Sequence, residues 1–348
     1  MPATSYLPIQ FLTRGETLES IHYGAFAIVD SHNQLLASYG DPELVTFMRS
    51  SAKPFQALPF IENGGADYWG FSEREVAITC ASHAGTDNHF HTLEGMQAKI
   101  GVTQADLQCG VHLPTDNATA KTLIRQDLEP TPNRHNCSGK HTGMLAFAQM
   151  IHAPLESYLD PQHPIQKQIL QTFSEMCRLE PEKVALGTDG CSAPNFAIPL
   201  RNAALGFARL VDPWELAPQR AAACQRITAA MTHYPEMIAG PGKFDTVLMT
   251  ATAGKIVSKG GAEGYQAIGI RPGVLGPDTP GVGITLKIAD GDLKDRARPA
   301  VTLAILQQLG VLTPAEAESL AEWGPNFPIY NWRKILVGEA KTVFELDL

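Results

Sequence analysis

The chain has 348 residues, 44% of them hydrophobic, enough to bury a large core as one big domain or two lobes. Its 27 Lys plus Arg are dispersed and the formal net charge is −9, so no basic stripe exists to neutralise phosphates, and nucleic acid is not an expected partner. No run approaches the roughly 20 apolar residues of a membrane span, and the opening MPATSYLPIQFLTRGETLES has no basic segment leading into an apolar core; a cytoplasmic protein with no membrane association is expected.

In chain order, GAFAIVD (24–30) and QLLASYG (34–40), joined across Ser-His-Asn, read as a β-hairpin. From about 90 to 235 helical signals dominate: TLEGMQAKI, GMLAFAQMI and IQKQILQTFSEMCRL, in which Ile165, Ile169 and Phe173 recur at four-residue spacing. From about 244 short β-like runs follow, FDTVLMTAT, KIVSKGG, GYQAIGI and VGITLKIAD, separated by Gly and Pro. LKDRARPAVTLAILQQLG then reads as a helix and RKILVGEAKTVFEL as a last hairpin or strand. Strands at both ends and helices between them predict an α+β fold. Its antiparallel sheet would come from both chain ends, about 1–45 and 240–348, with a mostly helical middle over about 46–239, all in one domain.

Five stretches carry candidate chemistry. In RSSAKP, Ser50 and Lys53 stand at i and i+3 on one helix face, and Pro54 restricts the helix start to this point, because a proline is tolerated only in the first turn. A serine there sits by unpaired backbone N–H groups that suit an oxyanion. A neutral lysine one turn on can take its proton, the Ser-x-x-Lys logic of penicillin-binding proteins and β-lactamases. ITCASHAGTDNHFH ends an apolar run at Ser82-His83, where an N-cap serine is the plain alternative. His89 and His91 are a poor metal pair, since i,i+2 residues on a helix do not face each other.

NRHNCSGKHTGMLA fails as a P-loop: Arg134 stands where the first Gly belongs, and His141 where Ser or Thr should follow Lys140. It leaves Cys137, Lys140 and His141 on a Gly-flanked loop before an apolar helix. The six cysteines are widely spaced with no Cys-x-x-Cys pair, a pattern of reduced thiols, and an inert buried thiol is the ordinary state of an isolated one. VALGTDGCSAPNFAIPL reads as a strand running into a polar turn at Asp189-Gly190-Cys191; two thiolates from Cys137 and Cys191 would suit zinc but need two further ligands. Lys259 precedes two glycines in KIVSKGGAEGYQAIGI, either a site-edge lysine or a solvated strand end.

Taken together, ESIHYG, MRSSAKPFQALP, ASHAG, HNCSGKHTGMLA, GTDGCSAPNF, GPGKFDT and KGGAEG resemble, in this order and from about residue 15 onward, the rhizobial-type L-asparaginases of the asparaginase II family. The resemblance implies a fold like serine β-lactamases and glutaminases, a homodimer, and hydrolysis of L-asparagine to aspartate and ammonia. It also implies two Ser–Lys tandems, Ser50 with Lys53 and Ser82 with Lys259, and one zinc ion per chain on Cys137, Lys140 and Cys191. Arg49, Asp189 and His141 would then lie around the substrate. A related Ser–Lys hydrolase, glutaminase or peptidase-like, and a non-catalytic zinc-binding protein are the competing readings.

Overall fold

The computed structural model describes residues 5–347, which form two compact units. The first takes in the chain up to Ser51, Ile198–Asp212 and the chain from Ala251. It is built on an eight-stranded sheet whose strands run in the order Phe327–Tyr330, Leu336–Thr342, Leu7–Arg14, Thr17–Asp30, Val282–Ile288, Tyr265–Ile270 and Ile256–Gly261, with Leu35–Tyr39 pairing off this path onto Thr17–Asp30. Its strands pair antiparallel, and the two chain ends meet where Gln10 faces Thr342. The α+β architecture with a sheet drawn from both ends is therefore present.

Its inner strands Tyr265–Ile270 and Val282–Ile288 are buried at every residue, which requires cover on both faces. Helix Leu200–Val211 supplies much of it, packing on Thr17–Asp30, Tyr265–Ile270 and Val282–Ile288, with its Leu200 carbonyl accepting from Thr285 Oγ1 at 2.7 Å. Sequence position puts this helix in the helical middle; its strongly one-sided apolar pattern docks it on the sheet instead.

The second unit, Ala52–Ala197 with Pro213–Thr250, is mostly helical. Lys53–Glu62 packs on Ser138–Met150, Pro164–Met176 and Pro218–His233, and is buried from Lys53 to Ile61. Phe55, Phe173 and Phe196 close its core, ring centroids 5.8 and 4.4 Å apart, pairs that contribute about 0.5–1.5 kcal/mol each beyond their area. Ser138–Met150 crosses helix Glu73–Thr79 so closely that a Cβ on Gly139 would lie 2.1 Å from the Ile78 carbonyl. One element departs from the sequence reading: Phe244–Ala251, read as β-like, is a helix. Its Val and Thr content mimics a strand, but Phe244, Leu248 and Met249 share a buried face at helical spacing.

Candidate active site

The helix predicted at RSSAKP is present with Pro54 in its first turn, and it also accommodates a second proline, Pro59, in its interior. Arg49–Ala52 is a 3-10 turn, and Lys53–Glu62 follows it. Lys53 is fully buried, 0% exposed, so its amine must find partners within the protein. It donates to the Ala81 carbonyl at 2.5 Å and to Ser82 Oγ at 2.9 Å. Ser82 is held in turn by its own N–H, which donates to the Ile238 carbonyl at 2.8 Å.

Around Lys53 the same unit gathers a thiol cluster. Cys137 directly precedes helix Ser138–Met150, whose first turn carries Lys140 and His141. Cys191 sits in a tight turn after strand Ala185–Thr188, closed by Asp189 N–H on the Ala193 carbonyl and Ser192 N–H on the Asp189 carbonyl, both at 2.9 Å. Ser192 there has φ +70°, a left-handed conformation that a side chain seldom adopts. The turn brings the sulfurs of Cys137 and Cys191 and a carboxylate oxygen of Asp189 within 4.8 Å of one another. Lys140 Nζ lies 3.0 Å from Cys191 Sγ.

The electrostatics follow from this crowding. Cys137 is held well below the usual thiol range, first by its hydrogen bond from Cys191, against burial, with help from the Lys53 and Lys140 charges. Cys191 moves the opposite way because it keeps the proton that the pair shares. Burial favours a neutral Lys140, but its interactions with the Cys191–Cys137 pair, which shares one negative charge, outweigh it and raise the amine above the ordinary lysine value. Burial keeps His141 neutral, pushed down to about 4.

Arg49, Ser50 and Lys259 belong to the sheet unit. Arg49 has φ +51° and its guanidinium lies 4.0 Å from Glu263. Ser51 Oγ donates to the Lys259 carbonyl at 2.7 Å, and a Cβ on Gly261 would meet the Met48 carbonyl at 2.5 Å, so strand Ile256–Gly261 is seated directly on the turn that holds Ser50. Lys259 is 1% exposed and donates to the Gly260 carbonyl at 2.7 Å.

Sequence reading missed several participants. His83 hydrogen-bonds Ser138 Oγ at 2.9 Å, and His135 accepts the Cys137 N–H at 3.0 Å. Tyr158 reaches His141 Nδ1 at 2.6 Å. The two histidines flank Ser82 and Cys137 in sequence, a signal within reach; Tyr158, in the plain segment ESYLD, gives none.

Residues 11–342 match the family described as L-asparaginase II. The chain belongs to the L-asparaginase II family. An amidohydrolase is what that membership makes of it. No curated protein matches. Among solved structures, a Bacillus glutaminase crystallised in the presence of 4.3 M NaCl is 13% identical, covering 83% of this chain and 91% of that one, with a TM-score of 0.39. A probable glutaminase from Bacillus subtilis complexed with 6-diazo-5-oxo-L-norleucine is 14% identical over 83% and 84% of the two chains, with a TM-score of 0.40.

Proposed function

We propose that this amidohydrolase cleaves L-asparagine to L-aspartate and ammonia through a serine nucleophile, Ser50, activated by Lys53. The observation that carries the reading is the buried Lys53 amine, one helical turn after Ser50 in sequence, donating to a second serine hydroxyl at Ser82. In this scheme neutral Lys53 takes the Ser50 proton as Oγ attacks the side-chain amide carbon. Ser82 relays a proton to the departing nitrogen, which leaves as ammonia, and an ester to Ser50 remains. Water then attacks the ester, returning a proton through Lys53 to Ser50 and releasing aspartate. Arg49 would pair with the substrate carboxylate, with Asp189 and His141 beside it, and Lys259 would complete the second tandem.

Cys137, Lys140 and Cys191 would hold one zinc ion. Two sulfurs within 4.8 Å and an amine 3.0 Å from one of them suit a soft, tetrahedral cation. When bound, zinc supplies a fixed positive charge that organises the cluster. The unit of action would be a cytoplasmic homodimer.

The 2.9 Å contact also favours a second reading, Ser82 as the nucleophile. Ammonia release measured with asparagine, glutamine and a simple ester tests the substrate. Mass mapping of acid-quenched enzyme tests the nucleophile: a β-aspartyl group on the Ser50 peptide supports the first reading, and one on the Ser82 peptide supports the second. Release from glutamine alone would make the chain a glutaminase. Loss of folding on metal removal, with no hydrolysis of any substrate, would make it a zinc-binding protein.

A further inference from the structure

Tyr158 is fully buried. Its hydroxyl accepts the Gln108 backbone N–H at 2.8 Å and lies 2.6 Å from His141 Nδ1. The two rings stand at 89° with centroids 5.6 Å apart, so they meet through the hydroxyl edge and not by stacking. Tyr158 is itself anchored, since its carbonyl accepts from Gln166 Nε2 at 2.8 Å.

A phenol carries one proton. With the Gln108 amide already donating to the oxygen, a proton on His141 Nδ1 would make the oxygen accept twice. The phenol's own proton would then have no acceptor among the described residues, in a fully buried place where an unsatisfied donor is costly. The phenol and Nδ1 are both satisfied only when Tyr158 donates to Nδ1, which leaves the imidazole proton on Nε2. That nitrogen is buried and has no hydrogen-bond partner among the described residues, so its proton is open to a bound ligand.

We propose that Tyr158 is a positioning residue that locks His141 in the Nε2–H tautomer, making His141 a fixed donor toward the bound substrate. A metal at Nε2 needs a lone pair there, with the proton on Nδ1. The lock therefore excludes His141 from the metal's ligands, although the histidine adjoins Lys140 in sequence. The kinetic consequence rests on the amidohydrolase reading; the tautomer does not.

The test is two-bond proton–nitrogen NMR on protein labelled with 15N-histidine, metal-free and with added zinc, the His141 signals being those lost in His141→Gln. The expected pattern is a bare Nδ1 and a protonated Nε2 in both samples. A protonated Nδ1 in either one overturns the proposal, and wild-type protein alone decides it should Tyr158→Phe fail to fold. On asparagine, Tyr158→Phe should lower kcat/KM by about tenfold, the worth of one hydrogen bond. His141→Gln, which can place an N–H where Nε2–H stands, should retain more activity than His141→Asn, and equal losses would count against the proposal. Wild-type protein that releases no ammonia refutes the amidohydrolase reading and leaves the NMR result standing.

Discussion

Lys53 and Ser82, 29 residues apart, are joined by a 2.9 Å hydrogen bond inside the helical unit. Because Lys53 has no exposure to water, this bond and the one to the Ala81 carbonyl fix where its amine points. Lys53→Arg should then be as damaging as Lys53→Met, each lowering kcat by at least ~10³-fold, since a guanidinium stays protonated and is too bulky for the place. Steady-state ammonia release checks this, and an arginine variant with near-normal turnover would remove the lysine from the role of base.

Ser50→Ala should abolish turnover while leaving the unfolding free energy within ~0.5 kcal/mol of wild type, as only the hydroxyl of a half-buried residue is lost. Ser82→Ala should leave a slower enzyme that still accumulates the acyl group on Ser50. The reverse ranking, with Ser50→Ala the milder variant, would move the nucleophile to Ser82.

Gly261→Ala forces a Cβ to within 2.5 Å of the Met48 carbonyl, with Ser51 Oγ also at 3.2 Å. Backbone cannot swing aside as a side chain can, so the turn carrying Arg49 and Ser50 must shift. We expect a stability loss of about 1–3 kcal/mol and a disproportionate loss of kcat/KM. Denaturant midpoints beside kinetics test it; a stability loss with unchanged kinetics would mean that the strand does not position the turn.

His83 and His89 set an acid limit. Each accepts a backbone N–H on Nδ1, from Gly85 and Thr86 respectively, at 3.1 Å. Burial above all holds His83 well below its ordinary 6.5 and pushes His89 down to about 4. The unfolded chain binds these protons more readily than the folded one. Their contribution is therefore fully present above about pH 6.5 and is lost as pH falls toward about 4. Urea midpoints should drop steadily across that window, and less so in His89→Gln; an identical slope in that variant would exclude His89 from the effect.

Zinc uptake should fall steeply with pH in the same direction, because thiols and an ammonium must shed protons before the ion enters. Elemental analysis after dialysis should find far less zinc in Cys137→Ser and Cys191→Ser than in wild type. Equal metal in all three would return both cysteines to the role of buried thiols.

The sequence was most readable where one residue constrains the backbone. Pro54 located the helix start, and short apolar runs bounded by Gly and Pro located the strands that meet at the sheet's centre. It was least readable where partners come from remote chain. Nothing in the spacing announces that Lys53 reaches Ser82, or that Gln108, Tyr158 and His141 align, because those distances are set by helix packing. Phe244–Ala251 misled for a different reason: its β-branched residues match a strand locally, and burial of one helical face overrides them.

The pairing of Gln10 with Thr342 orders events in time during synthesis. The helical unit's two segments, Ala52–Ala197 and Pro213–Thr250, have left the ribosome before most of the sheet exists, so it can consolidate first. Strand Leu7–Arg14 must meanwhile wait, with the edge meant for Leu336–Thr342 unpaired, for the intervening chain to be translated. At ~5–20 residues per second that is roughly 15–65 s of exposure for a strand edge able to pair with another chain. Loss of the last strand would make that exposure permanent, and aggregation would precede any loss of the Lys53–Ser82 contact.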